Sequence, residues 1–266
     1  MYTNIGKRYR FRRLIDQDSG ALLLVPMDHG FTLGPIKGLV DVPVTVDQVF
    51  NGGASAVVVH KGLAKNLTNV IPPQSGLIIH VSGSTALSPN SNYKIMTGTV
   101  PEVLTLGADA VSCHVNVGAD EDYVMLEDLA KLAEESNDFG LPLLSMTYVR
   151  DSEGVEKRDP TSLAHAARLT EELGADIVKV NSTQLGQGFD EVTQGVQIPL
   201  VIAGGAKQDD FKGFLETVRN CILAGASGVS VGRNIFQAVD PMTAMSRVRE
   251  TVKEAATEVG GIEILS

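Results

Sequence analysis

The chain has 266 residues, 43% of them hydrophobic and 20% charged, with a formal net charge of −10 at pH 7 and a pI of about 5.0. This length suits one large domain or two small ones, and the apolar fraction supports a sizeable core and excludes a disordered chain. The acidic balance argues against nucleic acid and an anionic membrane as partners, so a phosphorylated substrate would need a local positive site.

The N-terminal segment, residues 6–13, is basic and lacks the apolar stretch of a signal peptide. We expect residues 1–20 to form a helical extension that covers the bottom of the domain or contacts another subunit; an organellar transit peptide is the alternative. Cys113 and Cys221 form no CxxC pair, which fits a reducing compartment and a cytoplasmic protein. No apolar run is long enough to span a membrane.

A phrase of glycine, a small or acidic residue and a short apolar run recurs along the chain. The four copies lie at 53–59, 107–111, 174–178 and 225–231. Each is typical of a helix that ends at glycine and is followed by a buried strand. Further apolar runs lie between the copies, at 22–27, 77–81, 141–147 and 198–203. Interleaving the two sets predicts eight strands, and their nearly continuous apolar character indicates a parallel sheet covered on both faces.

Helical patterns separate these strands. An apolar stripe through Tyr123, Leu126, Leu129 and Leu132 predicts a helix over 120–136. Two further helices are predicted to begin with an Asp cap followed by proline, at 159–161 and at 240–241. Because no linker or change of composition interrupts the series, we predict an α/β fold over 1–266, a single (β/α)8 TIM barrel with a short N-terminal extension. A doubly wound open sheet is the alternative.

Polar, ionisable or glycine residues follow almost every predicted strand. In a barrel of this kind the active site lies at the carboxyl ends of the strands, so this face is predicted to be a catalytic pocket. In chain order the residues are Asp28-His29-Gly30, His60-Lys61-Gly62, Ser82-Gly83-Ser84, His114-Val115-Asn116, Tyr148, Lys179, Gly204-Gly205 and Gly232-Arg233.

Lys179 is the most informative of these residues. It lies near the end of the apolar run 175–181, where lost hydration disfavours the charged ammonium and makes the amine a candidate nucleophile for a carbonyl, through a Schiff base. The alternative is a lysine whose stem packs while its head reaches water. Lys61, which follows another buried strand, is the rival nucleophile. Tyr148 ends the preceding strand and is a candidate general acid–base, or a rim residue that caps the core. Asp28 needs a partner at the end of a buried strand, and a lysine would supply one.

The last two strand ends are predicted to bind phosphate. Gly204, Gly205 and Gly232 would let backbone N–H groups approach a phosphate after strands seven and eight, and Arg233 would add a bidentate contact. The alternative is that the glycines only form tight turns. His29 and Lys61 complete the predicted substrate-binding set.

The histidines suggest a different chemistry. His29, His60 and His114, with Asp28, could bind a divalent metal at the mouth of a barrel. The spacing typical of zinc sites is absent, so we predict no metal and no organic cofactor. His80 and His165 are predicted to be structural or solvated.

The strand-end residues resemble those of a known family. The motifs are Val25-Pro26-Met27-Asp28-His29-Gly30, Gly34-Pro35-Ile36-Lys37-Gly38-Leu39, His60-Lys61-Gly62, Gly76-Leu77-Ile78-Ile79-His80, Ser88-Pro89-Asn90, His114-Val115-Asn116-Val117-Gly118, Ala164-His165-Ala166-Ala167-Arg168-Leu169 and Val231-Gly232-Arg233-Asn234-Ile235-Phe236. From about residue 12 to about residue 240, the chain resembles the archaeal-type class I aldolases (DhnA/DeoC-like), most of all their 2-amino-3,7-dideoxy-D-threo-hept-6-ulosonate synthase branch.

The resemblance implies a Schiff-base barrel that acts on a phosphorylated ketose. By position, Lys179 is the Schiff-base lysine, Tyr148 the general acid–base and Asp28 the assisting carboxylate, while the glycines and Arg233 fall in the family's phosphate site. In the synthase branch a ketose fragment is joined to L-aspartate semialdehyde. Related branches join dihydroxyacetone phosphate to that aldehyde in aminohydroxybenzoate biosynthesis, or act as fructose-1,6-bisphosphate aldolases. Members often form rings or decamers, so we expect a homo-oligomer.

Three positions depart from the family pattern. Met146 stands where fructose-bisphosphate members often carry tryptophan, Val149-Arg150-Asp151 replaces Pro-Arg-Gly, and the segment after the lysine, 182–184, lacks the usual tyrosine. The first change argues against a simple glycolytic aldolase. The other two lie beside the substrate, so they leave the donor and the acceptor open and the Schiff base intact. Two other classes stay open: a metal-dependent lyase, and a phosphosugar-binding barrel without catalysis.

Overall fold

The structure, a computed structural model, describes residues 4–264. Within these residues, eight parallel strands form a barrel. Their bounds are β1 Leu22–Pro26, β2 Ala56–His60, β3 Gly76–His80, β4 Ala110–Val117, β5 Leu143–Arg150, β6 Ile177–Asn181, β7 Leu200–Ala203 and β8 Gly228–Ser230. Two short antiparallel additions lie at the carboxyl end: Ser82–Gly83 pairs with Ile95–Met96, and Glu156–Lys157 pairs with the end of β5.

The sheet closes on itself. β4 pairs with β5 from Val111↔Leu143 to Val117↔Val149, and β8 pairs with β1 from Leu22↔Gly228. An open doubly wound sheet would leave two unpaired edges, whereas here each barrel strand has a parallel neighbour on both sides. The predicted (β/α)8 barrel is therefore confirmed, and the open-sheet alternative is wrong.

Helices connect the strands and cover the outside of the barrel. Their bounds are α1 Ile5–Phe11, α2 His29–Leu33, α3 Val42–Asn51, α4 Lys61–Ala64, α5 Val100–Thr105, α6 Asp122–Asp138, α7 Pro160–Glu172, α8 Phe189–Gln194, α9 Phe211–Leu223, α10 Arg233–Phe236 and α11 Pro241–Glu258, with 3-10 turns at Arg12–Leu14 and Gln184–Gly186. As predicted, α7 and α11 begin at capped prolines: Asp159 accepts from Ser162 N, and Asp240 accepts from Thr243 N. Among the described residues, no helix combines the length and apolar character that a membrane span requires.

The predicted stripe of α6 is wrong at its first residue. Tyr123 is 67% exposed, whereas the buried side chains are those of Met125, Leu129 and Leu132. The reason is geometric: at 100° per residue, Tyr123 lies about 200° from Met125 and so faces the opposite side of the helix.

The recurring phrase has one structural role at the amino end of the barrel. In each copy the Ser or Asp before the strand accepts a hydrogen bond from the backbone N–H of the preceding strand. The four bonds run from Leu23 to Ser55 (2.9 Å), from Leu77 to Asp109 (2.9 Å), from Leu143 to Asp176 (2.8 Å) and from Leu200 to Ser227 (3.4 Å). These side chains satisfy strand-end donors that would otherwise be buried without a partner.

The N-terminal segment packs against this amino end. Lys7 Nζ donates to both oxygens of Asp176 at 2.8 and 3.0 Å, and Arg13 Nη1 lies 3.3 Å from Asp109 Oδ1. Ser55 Oγ donates to the carbonyl of Leu14 at 2.6 Å. The predicted helix in this segment is therefore tied to three of the four repeated residues.

Alternate residues of each strand point into the barrel. A separate apolar cluster fills its lower half: Phe11, Leu14, Leu22, Leu24, Ala56, Val58, Ile78, Ala110, Leu144, Met146, Ile177 and Val201. The other parity of each strand packs outward against the helices. Continuing the inward rows upward by two residues reaches His60, His80, Tyr148 and Lys179, and by four residues from Ala110 reaches His114. The period of the strands thus places polar side chains directly above an apolar floor.

Candidate active site

A cavity of about 230 Å³ opens above the apolar floor. Its lining residues are Asp28, His29, Thr32, Leu33, His60, His80, Ser82, Gly83, Lys94, His114, Met146, Tyr148, Arg150, Glu156, Lys179 and Arg233. The structure thus brings together the three predicted catalytic residues, with His29 and Arg233 from the predicted binding set.

Lys179 projects into the cavity from the middle of β6 and is 5% exposed. Its Nζ lies 3.8 Å from Sδ of Met146, the residue that stands beside it on β5 in the register of the sheet. No carboxylate among residues 4–264 lies within ion-pair distance of this amine. An approach to a carbonyl therefore does not require a salt bridge to break first.

Asp28 follows β1 and faces the same space. Its Oδ1 lies 3.6 Å from His29 Nδ1 and its Oδ2 lies 3.9 Å from His80 Nε2. Burial opposes ionisation of Asp28, but the charges that His29 and His80 acquire in acid, together with the charge of Lys179, outweigh it and hold the pKa of the carboxyl below its ordinary value. Among the described residues, Oδ1 has no hydrogen-bond partner. An anionic oxygen is thus available to accept a hydrogen bond from a hydroxyl in the cavity.

The four histidines around the cavity are held in their neutral form. Burial lowers the pKa of His29, His60 and His114, and it lowers that of His80 to about 3. His80 shares hydrogen bonds with Ser112 Oγ at 2.8 Å and with Ser82 Oγ at 3.4 Å. This burial agrees with the structural role that was one of the two predicted for His80, and the inward parity of β3 also brings the ring to the cavity wall.

The metal hypothesis lacks the required geometry. In the part of the chain that the structure describes, no three His, Cys, Asp or Glu side chains are grouped so that they could hold a metal ion. His114 instead stacks on Tyr148, and His60 stacks on Phe31. His165 is exposed on α7, in accord with the prediction for it.

Tyr148 is held between two polar side chains. The ring of His114 stacks on it at 4.7 Å and 23°, and the Arg150 guanidinium lies 5.9 Å from its centroid. Asn116 links the two neighbours, because its Oδ1 accepts from Arg150 Nε at 2.9 Å and lies 3.1 Å from His114 Nε2. Its amide in turn donates to the carbonyl of Asn92 at 2.6 Å. The phenol is therefore fixed in orientation beside a permanent cation.

The predicted phosphate loops lie side by side after β7 and β8. Asn234 Nδ2 donates to the carbonyl of Gly204 at 2.8 Å, while its Oδ1 accepts from Gln208 N at 2.8 Å, so one amide joins the two loops. Gly205 has φ +68°, a conformation that favours glycine. A Cβ at Gly232 would lie 2.6 Å from the carbonyl oxygen of Pro26. Both glycines are thus required by the backbone.

Arg233 provides the charge beside these loops. It lines the cavity, and its buried Nε has no hydrogen-bond partner within residues 4–264. A buried guanidinium nitrogen with an unused proton is suited to an anion.

Lys61 is not brought to the cavity, which corrects the prediction for it. The inward residue at the end of β2 is His60, so Lys61 lies on the other parity and begins α4. Its Nζ binds both oxygens of Glu102, at 2.8 and 2.9 Å, and its side chain is 39% exposed. Lys61 therefore contributes neither a nucleophile nor a substrate contact to this cavity.

Sequence reasoning missed three charged residues of the wall. Arg150 lies two residues after Tyr148 on the same inward row, so strand parity could have found it. Lys94 belongs to an irregular segment between β3 and β4, and Glu156 to the short strand after β5, where no periodic pattern exists. The cavity therefore carries more charge of both signs than the sequence predicted.

Comparison with known proteins gives consistent matches. The profile of DeoC/LacD family aldolases matches residues 22–238. The chain is 39% identical to the 2-amino-3,7-dideoxy-D-threo-hept-6-ulosonate synthase of Halobacterium salinarum over 96% of its length and 94% of the relative. It is 34% identical to the 2-amino-4,5-dihydroxy-6-oxo-7-(phosphonooxy)heptanoate synthase of Streptomyces griseus, over 95% of its length and 92% of the relative.

A solved structure provides the chemical comparison. It is an archaeal fructose-1,6-bisphosphate aldolase whose catalytic lysine is covalently bound to the carbinolamine intermediate of its substrate. This structure superposes with a TM-score of 0.85 at 27% identity, covering 93% of the present chain and 99% of its own. A carbinolamine on lysine is the precursor of a Schiff base.

Proposed function

Because the chain belongs to the DeoC/LacD aldolase family, we propose that it joins a fragment of a phosphorylated ketose to an aldehyde through a Schiff base on Lys179. The observation that carries this proposal is the position of Lys179, an amine with 5% exposure in a cavity that also holds Tyr148 and Asp28. Its Nζ contacts a thioether and no carboxylate among the described residues, so it is poised to meet an electrophile.

The reaction follows from these groups. The amine of Lys179 adds to the ketone carbon, and loss of water from the carbinolamine leaves an iminium. The iminium accepts the electron pair of a neighbouring C–C or C–H bond and becomes an enamine. The enamine then attacks the aldehyde carbon, and water releases the product and restores the amine.

Tyr148 and Asp28 would manage the protons of this sequence. Tyr148, held by His114 and Arg150, would take the proton released as the C–C bond breaks and return one as the new bond forms. Asp28 would accept the hydrogen bond of the carbinolamine hydroxyl through Oδ1, which has no partner within 4–264. The lowered pKa of Asp28 keeps this oxygen anionic at neutral pH.

The donor would be anchored by its phosphate. Gly204, Gly205 and Gly232 would supply backbone N–H groups, and Arg233 would supply its unpaired Nε. His29 lines the cavity between Asp28 and Arg233 and would contact the donor as a neutral hydrogen-bonding group. The reaction needs neither a metal nor an organic cofactor.

For the acceptor we take L-aspartate semialdehyde. The name of the Halobacterium relative describes a seven-carbon product with an amino group beside a carboxylate. The Streptomyces relative makes a product with the same amino-acid end and a phosphate at carbon 7. This second relative supports the alternative donor, dihydroxyacetone phosphate. A homo-oligomer and a cytoplasmic location are further proposals, which light scattering and cell fractionation would test.

Product analysis tests the proposal and separates the two donors. Purified protein would be incubated with L-aspartate semialdehyde and either a six-carbon ketose phosphate or dihydroxyacetone phosphate, and products would be identified by mass and NMR. We expect a seven-carbon 2-amino acid. Retention of phosphate at carbon 7 would select the alternative donor, and cleavage of fructose 1,6-bisphosphate without any amino-acid product would contradict the proposed acceptor.

A further inference from the structure

The cavity has two ends that differ in charge and in the strands that build them. The predicted phosphate loops follow β7 and β8, and Lys179 lies on β6. In a closed ring of eight, β3 and β4 stand opposite β7 and β8, and they carry the segment that includes Lys94. Arg150 ends β5 next to this segment, and Glu156 lies on the short strand that pairs with the end of β5. Through Arg158, which binds its Oε2, Glu156 also borders the loop of Gly205. A substrate fixed by phosphate at the loops would extend past Glu156 toward Arg150 and Lys94.

Lys94 is a cation held in place and only partly used. Its Nζ donates to Ser84 Oγ and to the carbonyl of Ser91, each at 2.6 Å. An ammonium has three protons, so one donor is left for a ligand within the described chain. Burial, aided by the charge of Arg150, lowers the pKa of Lys94 to about 8, while Asp28 acts in the opposite direction. The amine is therefore mostly charged at neutral pH.

Arg150 is close enough to Lys94 to lower its pKa, and Glu156 is the acidic neighbour of Arg150. Arg150 uses Nε for Asn116, while its Nη1 lies 3.8 Å from Glu156 Oε1, beyond a hydrogen bond. Glu156 is held through Oε2 by Arg158 at 2.6 Å. Burial would raise the pKa of Glu156, but hydrogen bonds from Arg158 and Asn181 and the charges of Arg158 and Arg150 together outweigh it and lower the pKa. This rim thus presents two cations and an oriented carboxylate to the cavity.

We propose that this rim is a zwitterion subsite, in which Lys94 and Arg150 bind the carboxylate of an α-amino-acid aldehyde and Glu156 binds its ammonium group. The inference rests on the proposed function and adds to it the residues that recognise the acceptor. Two neighbouring donors suit a carboxylate. In an α-amino acid the ammonium lies only two to three bonds from that carboxylate, so an anionic side chain beside the donors suits it. A second phosphate would meet the same cations, but Glu156 would repel its double charge.

Three four-carbon aldehydes test each contact separately. L-aspartate semialdehyde carries both charges, succinate semialdehyde lacks the amino group, and butanal lacks both groups. We would measure kcat/KM for each aldehyde at saturating donor. The proteins would be the wild type, Lys94→Met, Glu156→Gln and, as a control at an exposed residue, Lys65→Met. Borohydride trapping of the donor alone would be run on every variant, as a readout that does not involve the acceptor.

The subsite predicts two selective losses. Lys94→Met should reduce the preference for succinate semialdehyde over butanal by about 10- to 100-fold, the range for a hydrogen bond to a charged group. Glu156→Gln should remove the preference for aspartate semialdehyde over succinate semialdehyde by a similar factor, and leave the preference for succinate semialdehyde over butanal intact. Donor trapping should persist in both variants, and Lys65→Met should match wild type.

Four results would overturn the inference. Equal loss for all three aldehydes in Lys94→Met would indicate a structural role, and higher wild-type kcat/KM for glyceraldehyde 3-phosphate than for aspartate semialdehyde would indicate a phosphate subsite. If the wild type makes product from aspartate semialdehyde but both variants keep the wild-type preferences among the aldehydes, the subsite alone would be overturned. Failure of the wild type to couple any aldehyde, despite a trapped donor, would overturn the proposed function together with it.

Discussion

At the scale of single residues, the cavity contains neutral histidines beside side chains that keep their charge. The four histidines are neutral because burial lowers their pKa, so the positive charge of the wall comes from lysine and arginine. Asp28 remains an anion beside them, since neighbouring positive charges hold its pKa below the ordinary value. An aldolase needs such a division, because its amine must add to a carbonyl while other groups hold and move protons.

Tyr148→Phe tests the proposed proton transfer. The substitution removes one hydroxyl and leaves the stacking with His114, so we expect kcat to fall by about 10²- to 10⁴-fold, the usual contribution of a general acid–base. Trapping of the donor on Lys179 should continue. Steady-state kinetics would measure the loss. Tyr123→Phe is the matched control, because the side chain of Tyr123 is 67% exposed. A loss below about fivefold would contradict the role of Tyr148 as general acid–base, because such a group contributes far more than this.

The pKa of Lys94 gives a pH prediction at the same scale. L-homoserine, the unreactive alcohol of aspartate semialdehyde, should compete with the acceptor. Its Ki should rise as pH increases through about 8, because the folded-state pKa of Lys94 is about 8 and the charge is lost above it. Arg150, Asp28, His80 and His114 also face Lys94, but the histidines are already neutral in this range. Lys94→Arg should flatten the rise; a rise of the same size in that variant would contradict the assignment.

At the scale of elements, one repeated hydrogen bond joins sequence to fold. Ser55, Asp109, Asp176 and Ser227 each accept a backbone N–H of the preceding strand, and the N-terminal segment contacts three of them. The same segment contributes Phe11 and Leu14, which are buried in the apolar cluster inside the barrel. The N-terminal helix is thus part of the barrel floor.

The buried ion pair of this helix predicts a measurable cost. Lys7 and Asp176 have side chains that are only 6% and 7% exposed, so Lys7→Met removes a buried ammonium that donates to both oxygens of a buried carboxylate. We expect the free energy of unfolding to fall by about 3–5 kcal/mol, as for other broken buried pairs. Arg219→Met is the control, because Arg219 and Glu258 are 40% and 50% exposed and their pair should contribute at most about 1 kcal/mol. Urea unfolding followed by circular dichroism would measure both, and equal losses would contradict the account.

Strand parity explains how far the sequence could predict these elements. Apolar runs that follow a helix-ending glycine, with the runs between them, located the barrel strands, and the strand ends located Lys179, Tyr148 and Asp28 in one cavity. The prediction for Lys61 was wrong because a shift of one residue along a strand turns a side chain to the other face. β2 ends at His60, so His60 and not Lys61 points into the barrel. Lys94 and Glu156 come from segments without a period, so only the folded chain brings them to the wall.

At the scale of the whole molecule, the barrel separates recognition from chemistry. Loops after β7 and β8 are suited to the donor phosphate, the rim near β3 to β5 is suited to the acceptor, and β6 carries the amine between them. A net charge of −10 gives the molecule as a whole no attraction for anionic substrates. Affinity for them must therefore come from local cations such as Arg233, Arg150 and Lys94.

The most direct test is borohydride reduction of the protein with its donor, followed by peptide mass mapping. Dihydroxyacetone phosphate and a six-carbon ketose phosphate would each be used, with wild type, Lys179→Met and Lys61→Met. The account predicts one covalent adduct in wild type and in Lys61→Met, located on the peptide that contains Lys179, and none in Lys179→Met. An adduct on the peptide of Lys61 or Lys94, or wild-type protein that turns over both donors without any adduct, would contradict the Schiff base on Lys179.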